Sequence, residues 1–288
     1  MAQARQTFER RQLGLTLRRL RERAGKTQQA AANAIGKVRS RVVQLEEGTA
    51  TASQGDLTKL LDFYRVTDEA ERQTVLDFGV QTRKRQRRGP HHDLLPDAYQ
   101  RFADLEASAS EINSAEPGII PGLLQSPSYV RALFAEAEGV LWEHGAKEAA
   151  ERLEFRLNRQ NRIWDAPNQP IMRFVISEDA VRANMGPGVM REQMEHILSL
   201  LNERPMLTVR ILRTDTYGNP IRGGGFQVFD FGSRGRPIGL ATNSFGPSTY
   251  FDDVNEVAQM LRAFHRIWEL SLSREETRNL IEHIAKEQ

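Results

Sequence analysis

Apolar residues recur along residues 8–24 at Leu13, Leu17, Leu20 and Ala24, spacings of four, three and four that place one apolar stripe on a helix. Arg10, Arg11, Arg18, Arg19, Arg21 and Arg23 cover the rest of that helix. Gly25 ends it, and the Thr27 hydroxyl offers a cap for a second helix over 28–34, whose alanines let a neighbour pack close. A third helix over 39–47 buries Val42 and Leu45 and stops before Gly48. The fourth, over 56–64, turns Leu57, Leu60, Leu61 and Tyr64 inward, and the fifth spans 69–80. Residues 27–48 thus read as two short helices joined at Ile35-Gly36-Lys37, the helix-turn-helix arrangement whose second member enters the major groove of DNA.

Farther along, residues 97–114 are amphipathic through Tyr99, Phe102, Leu105 and Ile112, which predicts one helix. The stretch from Glu116 to Ser126, EPGIIPGLLQS, is apolar yet broken by prolines and glycines, the pattern of a buried loop with turns. Helices follow over 128–138 and 147–163. From Ile171 the period falls to two: IMRFVISE, LTVRIL, FQVFDF and PIGLAT read as strands, with a helix over 190–201 between the first two. Glu178 and Asp179 follow a strand and read as a cap for the next segment. A long helix over 254–270 and a last one opened by the capping box Ser273-Arg274-Glu275-Glu276 complete the chain. The predicted fold class is α+β: an all-α, five-helix N-terminal helix-turn-helix domain over 1–82, a basic linker over 83–93 (RKRQRRGPHHD), and a larger mixed α/β C-terminal domain over 94–288. That last domain carries a small sheet with helices against one face.

At 288 residues the chain exceeds the usual single-domain length, which supports the division. Charge sharpens it. The net charge is only +2, but residues through Pro90 hold 19 Lys and Arg against 10 Asp and Glu, and the remainder 21 against 28. A basic front on an acidic back suits a polyanionic partner for the front alone, with a solvated arginine-rich surface as the plain alternative. Nothing approaches the roughly 18 apolar residues of a membrane span. The N-terminus has no apolar signal core, and the absence of cysteine suits a reducing cytoplasm and excludes disulfide and thiol chemistry.

Leu17-Arg18-Arg19-Leu20-Arg21, Thr27-Gln28-Gln29, Gly36, Val42 and Leu45-Glu46-Glu47-Gly48 resemble, in order and spacing, the XRE-type (Cro and phage-repressor-like) helix-turn-helix domain over 13–66. Two departures stand out: Lys37 where the family has a small apolar residue, and Val38 where it has a Ser or Thr cap. A valine has no acceptor, so water, phosphate or a neighbour must cap the recognition helix, and the local backbone there is the one expected to deviate. The resemblance implies that Arg39, Ser40, Val43 and Gln44 face base edges and that Gln28, Lys37 and Arg41 sit near phosphates. The chemistry suits those roles: arginine donates twice to guanine, glutamine pairs with adenine, and valine touches a thymine methyl. Such modules bind double-stranded DNA operators as homodimers on two half-sites.

The runs PGIIPGLLQSPSYVRALF, ERLEFRLNRQNRIW, FVISEDAVR and GGGFQVFDF are similar to the uncharacterised C-terminal domain that follows XRE-type modules in many actinomycete regulators, WhiJ-like and antitoxin-like proteins among them. The resemblance covers 94–285 and defines no ligand. It leaves open a homodimeric transcription regulator whose back domain senses a small molecule or small protein. The alternative is an antitoxin-like protein that sequesters a small partner and autoregulates its operon. An enzyme is not expected. Gly186-Pro187-Gly188 and Gly223-Gly224-Gly225 lack the Lys-Ser/Thr of a phosphate loop and the dinucleotide fingerprint, and no histidine stands in a catalytic spacing. His91-His92 has no helical partner or cysteine for a metal, and no cofactor is expected.

Overall fold

The computed structural model describes residues 7–83, 91–92, 98–140, 146–243 and 248–287. Five helices open the chain: α1 (Phe8–Arg23), α2 (Gln28–Ala34), α3 (Arg39–Glu46), α4 (Gln54–Phe63) and α5 (Glu69–Arg83). Local chemistry sets their ends. Thr7, Thr27 and Ser53 each accept, through the side-chain oxygen, the backbone N–H three residues on, at 3.3, 3.1 and 3.0 Å. Gly25 takes φ +64° after α1, and the Lys26 N–H closes on the Arg21 carbonyl at 3.0 Å. Leu13, Leu17, Leu20, Ala31, Val42, Leu45, Leu57, Leu60, Leu61, Val75 and Phe78 form one buried core.

Beyond α5 come β1 (His91–His92), α6 (Ala98–Ala107), β2 (Glu111–Glu116), α7 (Pro127–Ala137), α8 (Ala146–Trp164), β3 (Ile171–Ser177), α9 (Glu178–Val181), α10 (Val189–Glu203), β4 (Leu207–Leu212), β5 (Phe226–Asp230), β6 (Ile238–Ala241), β7 (Thr249–Phe251), α11 (Val254–Leu270) and α12 (Arg274–Glu287). The architecture is α+β, a helical N-terminal region followed by a mixed α/β region. Apart from Arg83 and His91–His92, the predicted linker over 83–93 lies outside the described residues. By contacts the chain divides into two compact units, one of Met1–Ala109, Phe229–Leu240 and Ser244–Val257, the other of Ser110–Val228, Ala241–Asn243 and Ala258–Gln288.

In the first unit α1 does more than carry the front core. Phe8 stacks on Tyr250 with centroids 4.2 Å apart, and its N–H donates to Asp252 Oδ2 at 2.9 Å. The Arg11 guanidinium lies 3.5 Å over the Phe231 ring and donates to the Arg234 carbonyl at 3.2 Å. Burial, with the Arg234 charge next, pulls the Arg11 pKa down to about 10. Strands of this unit follow the order β1-β7-β6-β5, β1 antiparallel to β7 with His91 opposite Tyr250.

The second unit has the order β5-β2-β3-β4, with β2, β3 and β4 all parallel. Ile112 pairs with Met172, and Phe174 with Val209, so apolar side chains align across the strands. The outer strand β4 is protected locally: the Ile211 N–H donates to Thr277 Oγ1 at 3.1 Å, and the Ile211 carbonyl accepts the Leu272 N–H at 2.9 Å. Ser273 and Glu276 exchange the reciprocal bonds of a capping box, at 2.8 and 3.2 Å.

The proline-glycine stretch is a loop buried over most of its length, with Ile120, Leu124 and Gln125 at 0% exposure, whereas Gly118 and Ile119 are exposed. Amide side chains satisfy its backbone. Gln193 accepts the Ser126 N–H and donates to the Leu124 carbonyl, both at 2.7 Å, while Gln160 Nε2 reaches the Gly122 and Gln125 carbonyls at 2.8 and 2.9 Å.

Two expectations are corrected. The single helix over 97–114 is instead α6 and then β2. Ser108 turns its hydroxyl onto the Leu105 carbonyl at 2.8 Å, a local bond that competes with helix, and full parallel pairing with β3 outweighs the helical period of Ile112. Glu178 and Asp179 do not cap the next segment. They form the first turn of α9, whose cap is Ser177, accepting the Ala180 N–H at 3.2 Å.

Candidate nucleic-acid interface

The spacing between α2 and α3 is set by Gly36 at φ +66°, a conformation a side chain resists, and by the Lys37 N–H closing on the Ala32 carbonyl at 2.9 Å. α3 then starts at Val38 with φ −84° and ψ 154°, an ordinary extended cap conformation, so the backbone does not deviate there. Its departure is chemical: no side chain caps α3, and Val38 is 68% exposed. A helix start without an acceptor of its own, at the surface, suits an external anion.

What holds α3 in place is polar and buried. Arg21 of α1 grips Glu46 at the end of α3 through two bonds, Nε to Oε1 at 2.6 Å and Nη2 to Oε2 at 3.1 Å. That bond to Glu46 raises the Arg21 pKa above its ordinary value, against the opposing effect of burial. From Glu46 Oε2 the network continues outward. Gln28 Nε2 donates to it at 3.0 Å, and Gln28 Oε1 accepts from Arg39 Nη2 at 3.3 Å. An ion pair inside the front core is thereby connected, through one amide, to an exposed arginine on the outer side of the motif. Removing either member of such a pair costs about 3–5 kcal/mol, because the other charge is left buried.

The side chains expected at DNA fall into two groups. Lys37, Arg39, Ser40 and Gln44 are exposed, and among the described residues the Lys37, Ser40 and Gln44 side chains make no hydrogen bond. Gln28, Arg41 and Val43 are half-buried. Gln28 and Arg39 are brought together, whereas Arg41 Nη2 donates to the Thr51 carbonyl at 2.6 Å and braces the loop after α3.

The basic surplus of α1 is largely spent within the fold. Arg18 pairs with Glu22 at 2.9 Å, Arg19 with Asp104 at 2.9 Å, and Arg23 with Glu71 at 2.6 Å. Arg11 and Arg21, read as surface from the helix pattern, are 5% and 8% exposed. Arg21 and Glu46 were not singled out from sequence as site residues. They lie 25 positions apart, and the one visible signal was that each falls in a run matching the helix-turn-helix pattern.

Residues 12–75 match a helix-turn-helix domain family, and residues 99–283 match a family described as a domain of unknown function (DUF5753). No curated protein and no solved structure matches the chain. The second match spans more than half of the residues, and with the helix-turn-helix geometry ahead of it the chain belongs to the DUF5753 family, bearing an N-terminal helix-turn-helix domain.

Proposed function

We propose that the protein is a sequence-specific DNA-binding transcription regulator of the XRE type, acting as a homodimer on double-stranded operators. The observation that carries this reading is the network from Arg21 through Glu46 and Gln28 to Arg39, which orients an exposed arginine beside exposed Ser40 and Gln44 on α3. Buried supports of this kind preorganise a reading side chain and lower the entropy lost on contact. Arg39 suits guanine and Gln44 adenine, with Val43 at their side for a thymine methyl. Lys37 and the uncapped start of α3 suit phosphates, and Gln28 has the dual role of support and phosphate neighbour. Arg41, already bonded to Thr51, contributes charge more than a direct contact.

The C-terminal region is proposed to bind an effector in a cytoplasmic setting, with no catalytic activity. Its resemblance to WhiJ-like and antitoxin-like proteins admits either a small molecule or a small partner protein. An open, partly polar cavity in the second unit favours the small molecule. The test of the reading head is selection of bound DNA from a random pool, followed by the variant carrying Arg39→Ala and Gln44→Ala. Each change should cost about 1–3 kcal/mol at the selected operator and relax its sequence preference. A double variant that protects the same operator at the same concentration would remove this face from DNA recognition.

A further inference from the structure

Arg11 touches two different parts of the first unit. Its guanidinium lies 3.5 Å over the Phe231 ring and donates to the Arg234 carbonyl at 3.2 Å, both in the segment that follows β5. Its backbone abuts Gly48, just past the end of α3: a Cβ on Gly48 would stand 2.8 Å from the Arg11 N and Cα atoms. One turn on, Gly14 meets the Leu45 and Glu46 carbonyl oxygens, where a Cβ would stand 2.5 Å away. Over that turn α1 and the end of α3 thus touch backbone to backbone. No flexible side chain lies between them to absorb a displacement, so a shift of α1 is passed to α3.

Two more residues from the later part of the chain hold the start of α1. Tyr250 of β7 stacks on Phe8 with centroids 4.2 Å apart, and the Asp252 carboxylate accepts the Phe8 N–H at 2.9 Å, a negative charge at a helix N-terminus. The hold is of a strength that can be released. Arg11 is buried, yet among the described residues it forms no ion pair, so its charge rests on an aromatic face and one carbonyl. Gln12 shares the Phe8 face of α1 one turn on and is fully buried, and neither of its amide atoms has a hydrogen-bond partner. A buried amide in that position regains its hydrogen bonds in water when the face opens.

We propose that Phe231, Arg234, Tyr250 and Asp252 form a releasable brace for the reading head: they seat α1, α1 seats α3, and Arg11 is the positioning residue that joins the two contacts. The proposal rests on the DNA-reading role proposed for α3 and names what controls it, a stretch of chain far beyond the helix-turn-helix motif. With the brace seated, Arg39, Ser40 and Gln44 are held in one presentation. With it released, α3 samples several, and specific contact costs more ordering. Phosphate attraction needs no such precision and is unaffected.

The test uses the full chain and the operator selected from a random pool. Phe231→Leu, which changes no charge, should weaken operator binding by roughly tenfold, an ordinary size for coupling between sites, and change binding to non-specific DNA by less than about twofold. Arg11→Met should weaken operator binding similarly, and the two changes together no more than the stronger alone, because both act through one contact. Arg11→Lys, which keeps a cation for the ring, should lose less than Arg11→Met. Amide exchange without DNA gives a second readout. Phe231→Leu should speed exchange over residues 44–50 and leave α4 unchanged, which a general loss of stability would not do, and Gln12→Met should slow exchange along α1. Unchanged operator affinity in Phe231→Leu, an equal loss on specific and non-specific DNA, or additive losses in the double variant would each overturn the brace. If the unaltered chain selects no operator, the DNA-reading role falls, and exchange decides the brace by itself: faster exchange over 44–50 in Phe231→Leu upholds it, and unchanged exchange overturns it.

Discussion

At the scale of single residues, buried charge separates what is supported from what is exposed to change. Glu46 is buried against a bidentate arginine, so its charge is answered within the fold. Glu116 is buried against an amide, and burial raises its pKa to about 7 from the ordinary 4.5. A carboxyl whose folded pKa lies above its unfolded one binds its proton more tightly when folded. Its contribution is fully present below pH 4.5 and lost as the pH rises through about 7. By pH 8 the loss amounts to about 3 kcal/mol. Glu116→Gln, which keeps the shape and can still accept from Gln227, should therefore stabilise the protein by up to that amount at pH 8 and by little near pH 4.5. Urea unfolding followed by circular dichroism at the two pH values measures it, and a pH-independent difference would contradict the assigned pKa. The sequence showed Glu46 only as part of a run matching the helix-turn-helix pattern and Glu116 only as the start of a proline-glycine stretch, because the partners that define each come from other elements.

At the scale of elements, the helices and their caps were legible because the information is local: a 3.6-residue period, a Thr or Ser at the start, a Gly at the end. Thr27 and the Ser273 capping box behave as their sequence implies. Local information fails where pairing partners are distant. β2 looked helical through Ile112, and its true partner, β3, lies about 60 residues on in every paired position. Helix packing adds a constraint that no period reveals. A Cβ on Gly14 would stand 2.5 Å from the Leu45 and Glu46 carbonyl oxygens, so α1 meets the end of α3 at backbone distance. Alanine is favoured over glycine in a helix interior by about 1 kcal/mol, but backbone oxygens cannot swing aside. Gly14→Ala should thus be destabilising by about 1–3 kcal/mol despite its better propensity, and should weaken operator binding by displacing α3. Thermal melting and operator titration report both effects. A raised melting temperature would mean that α1 and α3 separate at no cost.

At the scale of the whole molecule, the sequence suggests a front domain ending near residue 82, yet the compact unit containing α1 also takes in Phe229–Leu240 and Ser244–Val257. Phe8 on Tyr250 and Arg11 on Phe231 are the contacts that recruit those segments. Phe8 is 2% exposed, so Phe8→Ala in the full chain should cost about 3–5 kcal/mol, although it removes nothing from the helix-turn-helix core itself. A fragment ending at Arg88 lacks Tyr250 and Phe231 and should bind the operator more weakly than the full chain; gel-shift titration of both decides it, and equal affinity would rule out the coupling. The sequence by itself determined most of the helical elements, the turn at Gly36, the loop between Glu116 and Ser126 and the residue types offered on α3, because propensity, capping and periodicity act within a few residues of one another. Only the tertiary structure decided which arginines of α1 remain outside, what anchors Arg39 through Gln28 and Glu46, that residues 111–116 extend, and that Glu116 is buried beside Gln227. Those outcomes depend on burial and on partners brought together from distant parts of the chain, and the cost of an unpaired charge or an unmatched strand does not exist until the chain has folded.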